Sequence, residues 1–197
     1  MVLFKNEDLE ISTIESSDKD TVLKLFSEND FGCDYETGAL RPSNQQFSKI
    51  IDDIISGKTD EESVFVLRKN GKVIGYESMF VSYDRLKIGH IAVDKSERGN
   101  NYGKLLTNLA IMIAENEGRE VSLWCNHLDE YLKSMGFKTN DGIHYLHEYQ
   151  GIKTEGLPKI FVSVEDYKKR QEEKSKKEAE DFKKFLESDW GKTILGL

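Results

Sequence analysis

Two β-rich runs, SVFVLRK and KVIGYESMFVSYD, meet at Asn70-Gly71, and this junction restricts the fold more than any other stretch of the chain. An Asn-Gly pair accepts the positive φ angles of a two-residue hairpin turn, whose twist suits two antiparallel strands. Residues 63–84 therefore read as a hairpin within a larger sheet. A third run, RLKIGHIAVD, follows at once and also has strand character. It leads through a polar stretch, DKSERGNNYG, into a helix from about Tyr102 to Glu117, with Gly118 as the residue that ends it. REVSLWC is the next strand. Hairpins followed by strand–helix–strand units imply a mixed sheet covered on both faces, an α/β fold.

The flanking segments fit this plan. LEISTIE alternates as a strand, at Leu9 and Ile11. Ser17 and Asp18 precede a helix with Val22, Leu23 and Phe26 on one face. Ser43 starts a second helix with an apolar stripe of Phe47, Ile50, Ile51, Ile54 and Ile55. HLDEYLKSM is a short helix that stops at Gly136, and IHYLHEY is a last strand. The predicted order is strand, two helices, three strands, helix, strand, helix, strand. Residues 1–150 form this domain. From about residue 157 the chain turns dense in both charge signs, and residues 157–197 read as a helical extension started by Ser163 with Asp166 in a capping box. Its middle has almost no apolar face, so it is expected to be solvated. Phe182, Phe185, Leu186 and Trp190 return at helical spacing, and that end is expected to dock on the domain or on a second copy, as in a homodimer.

Composition narrows the function classes. The formal net charge of −8 argues against general nucleic-acid binding and mildly favours cationic partners. No apolar run approaches the roughly 20 residues that a membrane helix needs, and the opening MVLFKNEDLEIS turns acidic too early for a signal peptide. Cys33 and Cys125 lie far apart and match no metal-ligand spacing. Together these features point to free thiols, no metal and a cytoplasmic location.

The polar stretch at 94–104 carries the chemistry. Where a strand runs into a helix, the first helical turn presents unpaired N–H groups and the positive end of the helix dipole, a ready site for an anion. Backbone can approach phosphate oxygens only where side chains are small or tolerate unusual φ/ψ. Gly99 and Gly103 meet that need, and Asn101 is the next best residue because asparagine enters the left-handed region more readily than other non-glycine residues. Arg98 and Lys104 add positive charge on either side. Distant surface charge is screened within about 8 Å at physiological ionic strength, so the net −8 does not forbid an anionic ligand. A plain glycine-rich turn would carry the same residues, and only the flanking context argues against it.

That context, HIAVDKSERGNNYGKLLTNLAIMIAENEG, resembles the coenzyme A-binding motif of the GCN5-related N-acetyltransferase family. The motif spans Arg98, Gly99, Asn100, Asn101, Tyr102 and Gly103, with Asn101 where the family has its first glycine. YLKSMGF, residues 131–137, resembles the family's late helix before its final strand. The resemblance covers about three quarters of the chain and leaves the tail outside. It implies acetyl-coenzyme A in a wedge between two splayed parallel strands, those ending at Val93 and Cys125. Ile91, Ala92 and Val93 would pair with the pantetheine arm, amides from Arg98 to Lys104 would hold the pyrophosphate, and Asn126 would touch the pantetheine. An amine, from a small molecule or a protein, would attack the thioester directly.

Such chemistry needs a group that takes the amine proton and a donor to the developing oxyanion. The backbone N–H of Val93 or Ala92 is a candidate donor. Glu77 and His90 are candidate bases; strand parity counts against His90, because the family's base falls at the positions of Lys87 or Gly89, and a bulge near Ile91 would reverse this. The family's acid, a tyrosine, falls at Leu132 here, and Tyr131 is one residue away. Cys125 reads as a strand-end thiol, not a nucleophile. Two alternatives stand beside an N-acetyltransferase. One is a coenzyme-binding module with little catalysis that uses its tail for a partner. The other, a nucleotide-binding protein, lacks any GKS or GKT after the loop. The acceptor is expected to contact residues 29–44 and the last strand pair, and Asp30, Asp34 and Glu36 in the first of these suggest a cationic amine.

Overall fold

The computed structural model describes residues 1–29, 42–125, 128–142, 144–152 and 156–188. Seven strands form one sheet in chain order: β1 (Val2–Lys5), β2 (Leu9–Thr13), β3 (Glu62–Lys69), β4 (Lys72–Ser82), β5 (Arg85–Val93), β6 (Glu120–Trp124) and β7 (His144–His147). Every neighbouring pair is antiparallel except β5 and β6, which are parallel. The helices are α1 (Lys19–Glu28), α2 (Asn44–Ile55), α3 (Tyr102–Glu117), α4 (Asp129–Ser134) and α5 (Val164–Glu187). The mixed sheet is as expected. The hairpin turns at Asn70 and Gly71, both at positive φ, between the paired residues Lys69 and Lys72.

One face of the sheet lies under α1 and α2. Val22, Leu25, Phe26, Phe47 and Ile51 from those helices pack on Val64, Val66, Tyr76 and Ala92. Ser43 caps α2 with the full reciprocal box, its hydroxyl taking the Gln46 N–H and the Gln46 side chain taking the Ser43 N–H. The opposite face is covered by α3, through Leu106, Leu109, Ala110 and Ile113. Strand β1 was not expected from the sequence. It is a four-residue edge strand whose Val2 and Phe4 are exposed, so it shows no buried alternation to read.

The chain divides into two compact units, Met1–Phe161 and Val162–Leu197. Within the first, the end of α3 holds the segment after β7. Glu115 accepts the N–H groups of Gln150 and Ile152 at 2.8 and 2.9 Å. Glu117 accepts those of Ile160 and Phe161 at 2.8 and 3.1 Å. In the second unit α5 buries no residue. Ser163 caps it by accepting the Asp166 N–H, but the Asp166 carboxylate takes the Ser163 hydroxyl proton at 2.7 Å and so does not complete the expected box. Phe182 and Phe185 stack with ring centroids 6.4 Å apart and remain exposed, while Trp190 lies outside the described residues.

Candidate active site

The site begins where two parallel strands part. Pairing between β5 and β6 runs from Arg85–Glu120 to Ile88–Leu123 and then stops. Strand β6 ends one residue later, whereas β5 continues for five residues to Val93, still paired with β4. The Asp94 N–H donates to the Ile74 carbonyl at 2.8 Å. An antiparallel ladder alternates residue by residue, so Ala92 directs its N–H to β4, and Ile91 and Val93 direct theirs to the open side. The Val93 carbonyl points there too, where it accepts from Arg98 Nε at 3.2 Å. Of the two candidate oxyanion donors, this geometry favours Val93 over Ala92.

The loop at 94–101 closes one end of this gap. Asp94 accepts the Ser96 N–H and hydroxyl at 2.9 and 2.6 Å, which starts a 3-10 turn at Lys95–Glu97. Gly99 follows at φ +87°, and Asn101 at φ 60°, ψ 18° is the residue before α3. Asn101 is left-handed, as expected, and makes no side-chain cap to the helix, so the first-turn amides of Tyr102, Gly103 and Lys104 keep their exposed polarity. A side chain at Gly99 would meet nothing within 4 Å, so its backbone, not crowding, calls for glycine. Arg98 does more than supply charge: besides Val93 it binds the side chain of Asn29, tying the loop to the end of α1. Asn100 donates to the Glu97 carbonyl at 3.0 Å. Lys69 pairs with Glu97 at 2.9 Å and lies 5.9 Å from the Tyr102 ring centroid.

Tyr131, on α4, reaches the same helix start. Its hydroxyl lies 3.3 Å from Thr107 Oγ1, and a Cβ built on Gly103 would stand 3.9 Å from it. Burial raises its pKa, so it holds its proton at neutral pH. Leu132, at the family's tyrosine position, is buried in the core. Thr107, one turn into α3, is a site residue that the sequence did not single out; an interior threonine bonded to the Gly103 carbonyl at 3.0 Å resembles any helix-core residue in a linear reading.

The two candidate bases face opposite sides of the sheet. Ser78 pairs with His90, but Met79 pairs with Ile88, so Gly89 is an extra residue in β5. This bulge reverses the alternation of the strand. Lys87 pairs with Phe80 and His90 with Ser78; Phe80 and Ser78 lie two apart on β4, hence on one face. The parity objection to His90 therefore falls. The bulge sits one residue before His90 and two before Ile91. A Cβ at Gly89 would lie 2.9 Å from Ser78 Oγ, which accepts the His90 N–H at 2.9 Å and lies 3.2 Å from His90 Nδ1. The His90 ring sits edge-on to Phe26 and Phe47, at 5.1 and 5.6 Å, on the α1–α2 face.

Glu77 pairs with Ile91 and points to the α3 face. It is 0% exposed, and neither carboxylate oxygen has a hydrogen-bond partner. Burial pushes its carboxyl well above the usual carboxylate range, which favours the neutral acid. An enclosed carboxyl whose neutral form is favoured is poorly suited to act as a base. Cys125 is a half-buried free thiol. Asn126 lies outside the described residues, as do Asp30, Asp34 and Glu36. Among the described residues no group of His, Cys, Asp and Glu could hold a metal, and no helix is long and apolar enough to cross a membrane.

Comparisons with known proteins agree with this geometry. No curated protein sequence matches the chain. Solved structures share its fold at low identity. The PaiA N-acetyltransferase of Thermoplasma acidophilum, in complex with coenzyme A, is 13% identical with a TM-score of 0.56, covering 73% of this chain and 100% of its own. A GNAT family acetyltransferase of Brucella melitensis, in complex with acetyl-CoA, is 16% identical with a TM-score of 0.55, covering 77% and 95%. The ribosomal-protein-S18-alanine N-acetyltransferase of Escherichia coli is 20% identical with a TM-score of 0.54, covering 76% and 99%. A sequence model of the acetyltransferase (GNAT) family matches residues 25–137. The chain belongs to the GNAT family of acetyltransferases.

Proposed function

We propose that this protein is an acetyl-CoA-dependent N-acetyltransferase in which a primary amine attacks the thioester directly. The observation that carries this is the fork after Ile88, which leaves the open edge of β5 beside the bare first turn of α3. The amides of Ile91 and Val93 pair with the pantetheine arm as an added strand would. Amides from Arg98 to Lys104 hold the pyrophosphate, in a loop that turns through the positive φ angles of Gly99 and Asn101. The amine comes from the α1–α2 side of the fork, the face that carries His90. There His90 takes the amine proton, held in place by Ser78, and the Val93 N–H donates to the developing oxyanion. Tyr131 borders the coenzyme from α4. Residues 1–150 form the catalytic domain and residues 157–197 an extension to it.

Burial of Leu132 at the family's acid position favours a second reading, a coenzyme-binding module with little catalysis. One assay separates the two. Free-thiol release from acetyl-CoA is followed with a panel of primary amines, beside equilibrium binding of coenzyme A, ATP and NAD. Amine-dependent thiol release with selective coenzyme A binding is expected. Binding without release under any amine would favour the module, and no preference for coenzyme A would refute both.

A further inference from the structure

On the α1–α2 face, beyond the two helices, four strands contribute one continuous row. Phe80 on β4 pairs with Lys87 on β5, and Trp124 on β6 pairs with His144 on β7. The β5–β6 register places Trp124 on the same face as Lys87, through Ser122. Contacts bear this out. Lys87 Nζ lies 5.5 Å from the Trp124 ring centroid, and the Trp124 and His144 rings meet edge to face at 5.1 Å. Two of these side chains are large, apolar and open to solvent, Trp124 at 46% and Phe80 at 37% exposure. The bulge at Gly89 is what puts this row on the same face as His90, with Lys87 roughly 7 Å farther along the strand.

The charges in the row are unequal. Arg85 is neutralised by Glu120 at 3.0 Å, and His144 is bonded to Asp141. Glu62, beside Phe80 on β3, is kept from ionising easily by burial. Lys87 has the Trp124 ring as its partner and no carboxylate among the described residues. An ammonium held over an indole, next to the fork, repels a polycation and attracts an anion. It would also favour the neutral, nucleophilic form of a nearby amine.

We propose that this row is the acceptor subsite and that the acceptor is an amine carrying both a carboxylate and a flat apolar group, of the aromatic amino acid type. The carboxylate pairs with Lys87, the flat group lies on Trp124 and Phe80, and the amine reaches the fork beside His90. The proposal rests on the acetyl-transfer reading above and departs from the cationic acceptor suggested by the acids at 30–36, which lie outside the described residues.

The test compares L-phenylalanine, L-phenylalaninamide and spermidine as acceptors for the full-length protein, by thiol release. The carboxylate should give a kcat/KM at least tenfold above that of the amide. Lys87→Gln should abolish that preference and Lys87→Arg should restore it, with folding of each checked by melting. A preference for spermidine, or a carboxylate preference unchanged in Lys87→Gln, overturns the acceptor class while leaving acetyl transfer intact. If no amine releases thiol, the acetyl-transfer reading fails, and the subsite is judged by binding alone. In a Trp190→Phe background Trp124 is the one remaining tryptophan. N-acetyl-L-phenylalanine should then change its fluorescence saturably and spermidine should not. No response to millimolar N-acetyl-L-phenylalanine overturns the subsite.

Discussion

Replacing Glu77 by glutamine tests the electrostatics of the buried α3 face directly. The side chain is enclosed, neither oxygen has a partner, and burial alone raises its carboxyl well above the ordinary carboxylate range. A carboxyl whose folded pKa lies above its unfolded one binds its proton more tightly in the native state. Its contribution is fully present below the unfolded pKa and is lost as pH rises toward the folded value. Within that window stability falls by up to about 1.4 kcal/mol per pH unit. Above the unfolded pKa, the stability of the wild type should therefore fall with pH relative to that of Glu77→Gln, at up to this slope. The absolute offset between the two proteins says little, since an amide in the same pocket also lacks partners. The difference in slope isolates the titration. Urea denaturation of both proteins, without coenzyme, at half-unit steps from pH 4.5 to 7.5 measures it. Parallel stability curves would show that Glu77 does not titrate above its unfolded pKa, and the assignment of a neutral buried acid would be wrong.

Three further outcomes are expected. Gly103→Asp places a carboxylate at the first turn of α3, beneath Tyr131, and should weaken coenzyme A binding more than about tenfold, ~1.4 kcal/mol, with the fold retained by circular dichroism. Tyr131→Phe loses the contact to Thr107 Oγ1 but should keep most of kcat and the alkaline limb of the pH profile; a hundredfold loss at unchanged coenzyme affinity would make Tyr131 the acid. Truncation after Gly156 removes the Ile160 and Phe161 amides from Glu117 and should cost the first unit about 1–3 kcal/mol, whereas truncation after Phe161 keeps them; equal melting of the two would refute this role.

Much of the fold could be read from local chemistry. Asn70-Gly71, the Ser43 box and the Gly118 stop each depend on residues within a few positions, so their signals survive in a linear string. Asn101 belongs with them, because a left-handed asparagine is a local conformational preference. What escaped depends on pairing. Strand β1 is visible only through its register with β2. The orientation of His90 is set by one unpaired residue in a ladder, and a parity count along the strand could not contain it. Glu77 reads as a polar strand residue; its isolation follows from α3 arriving over it from 25 residues downstream. Trp124 and Lys87 come together across the parallel pair, far apart in the chain.

The single residue Gly89 also changes how this strand can be compared with any relative. Before it, Leu86 and Ile88 occupy the side that Glu77 and Ile91 occupy after it; Lys87 shares its side with His90. Strand β5 is thus two half-strands in opposite phase, joined at one insertion. A gap misplaced by one position there does not blur a correspondence but swaps it wholesale, exchanging groups on the α1–α2 face for groups on the α3 face. Deleting Gly89 would likewise be a frame shift in three dimensions, sending either Lys87 or His90 to the wrong side of the sheet.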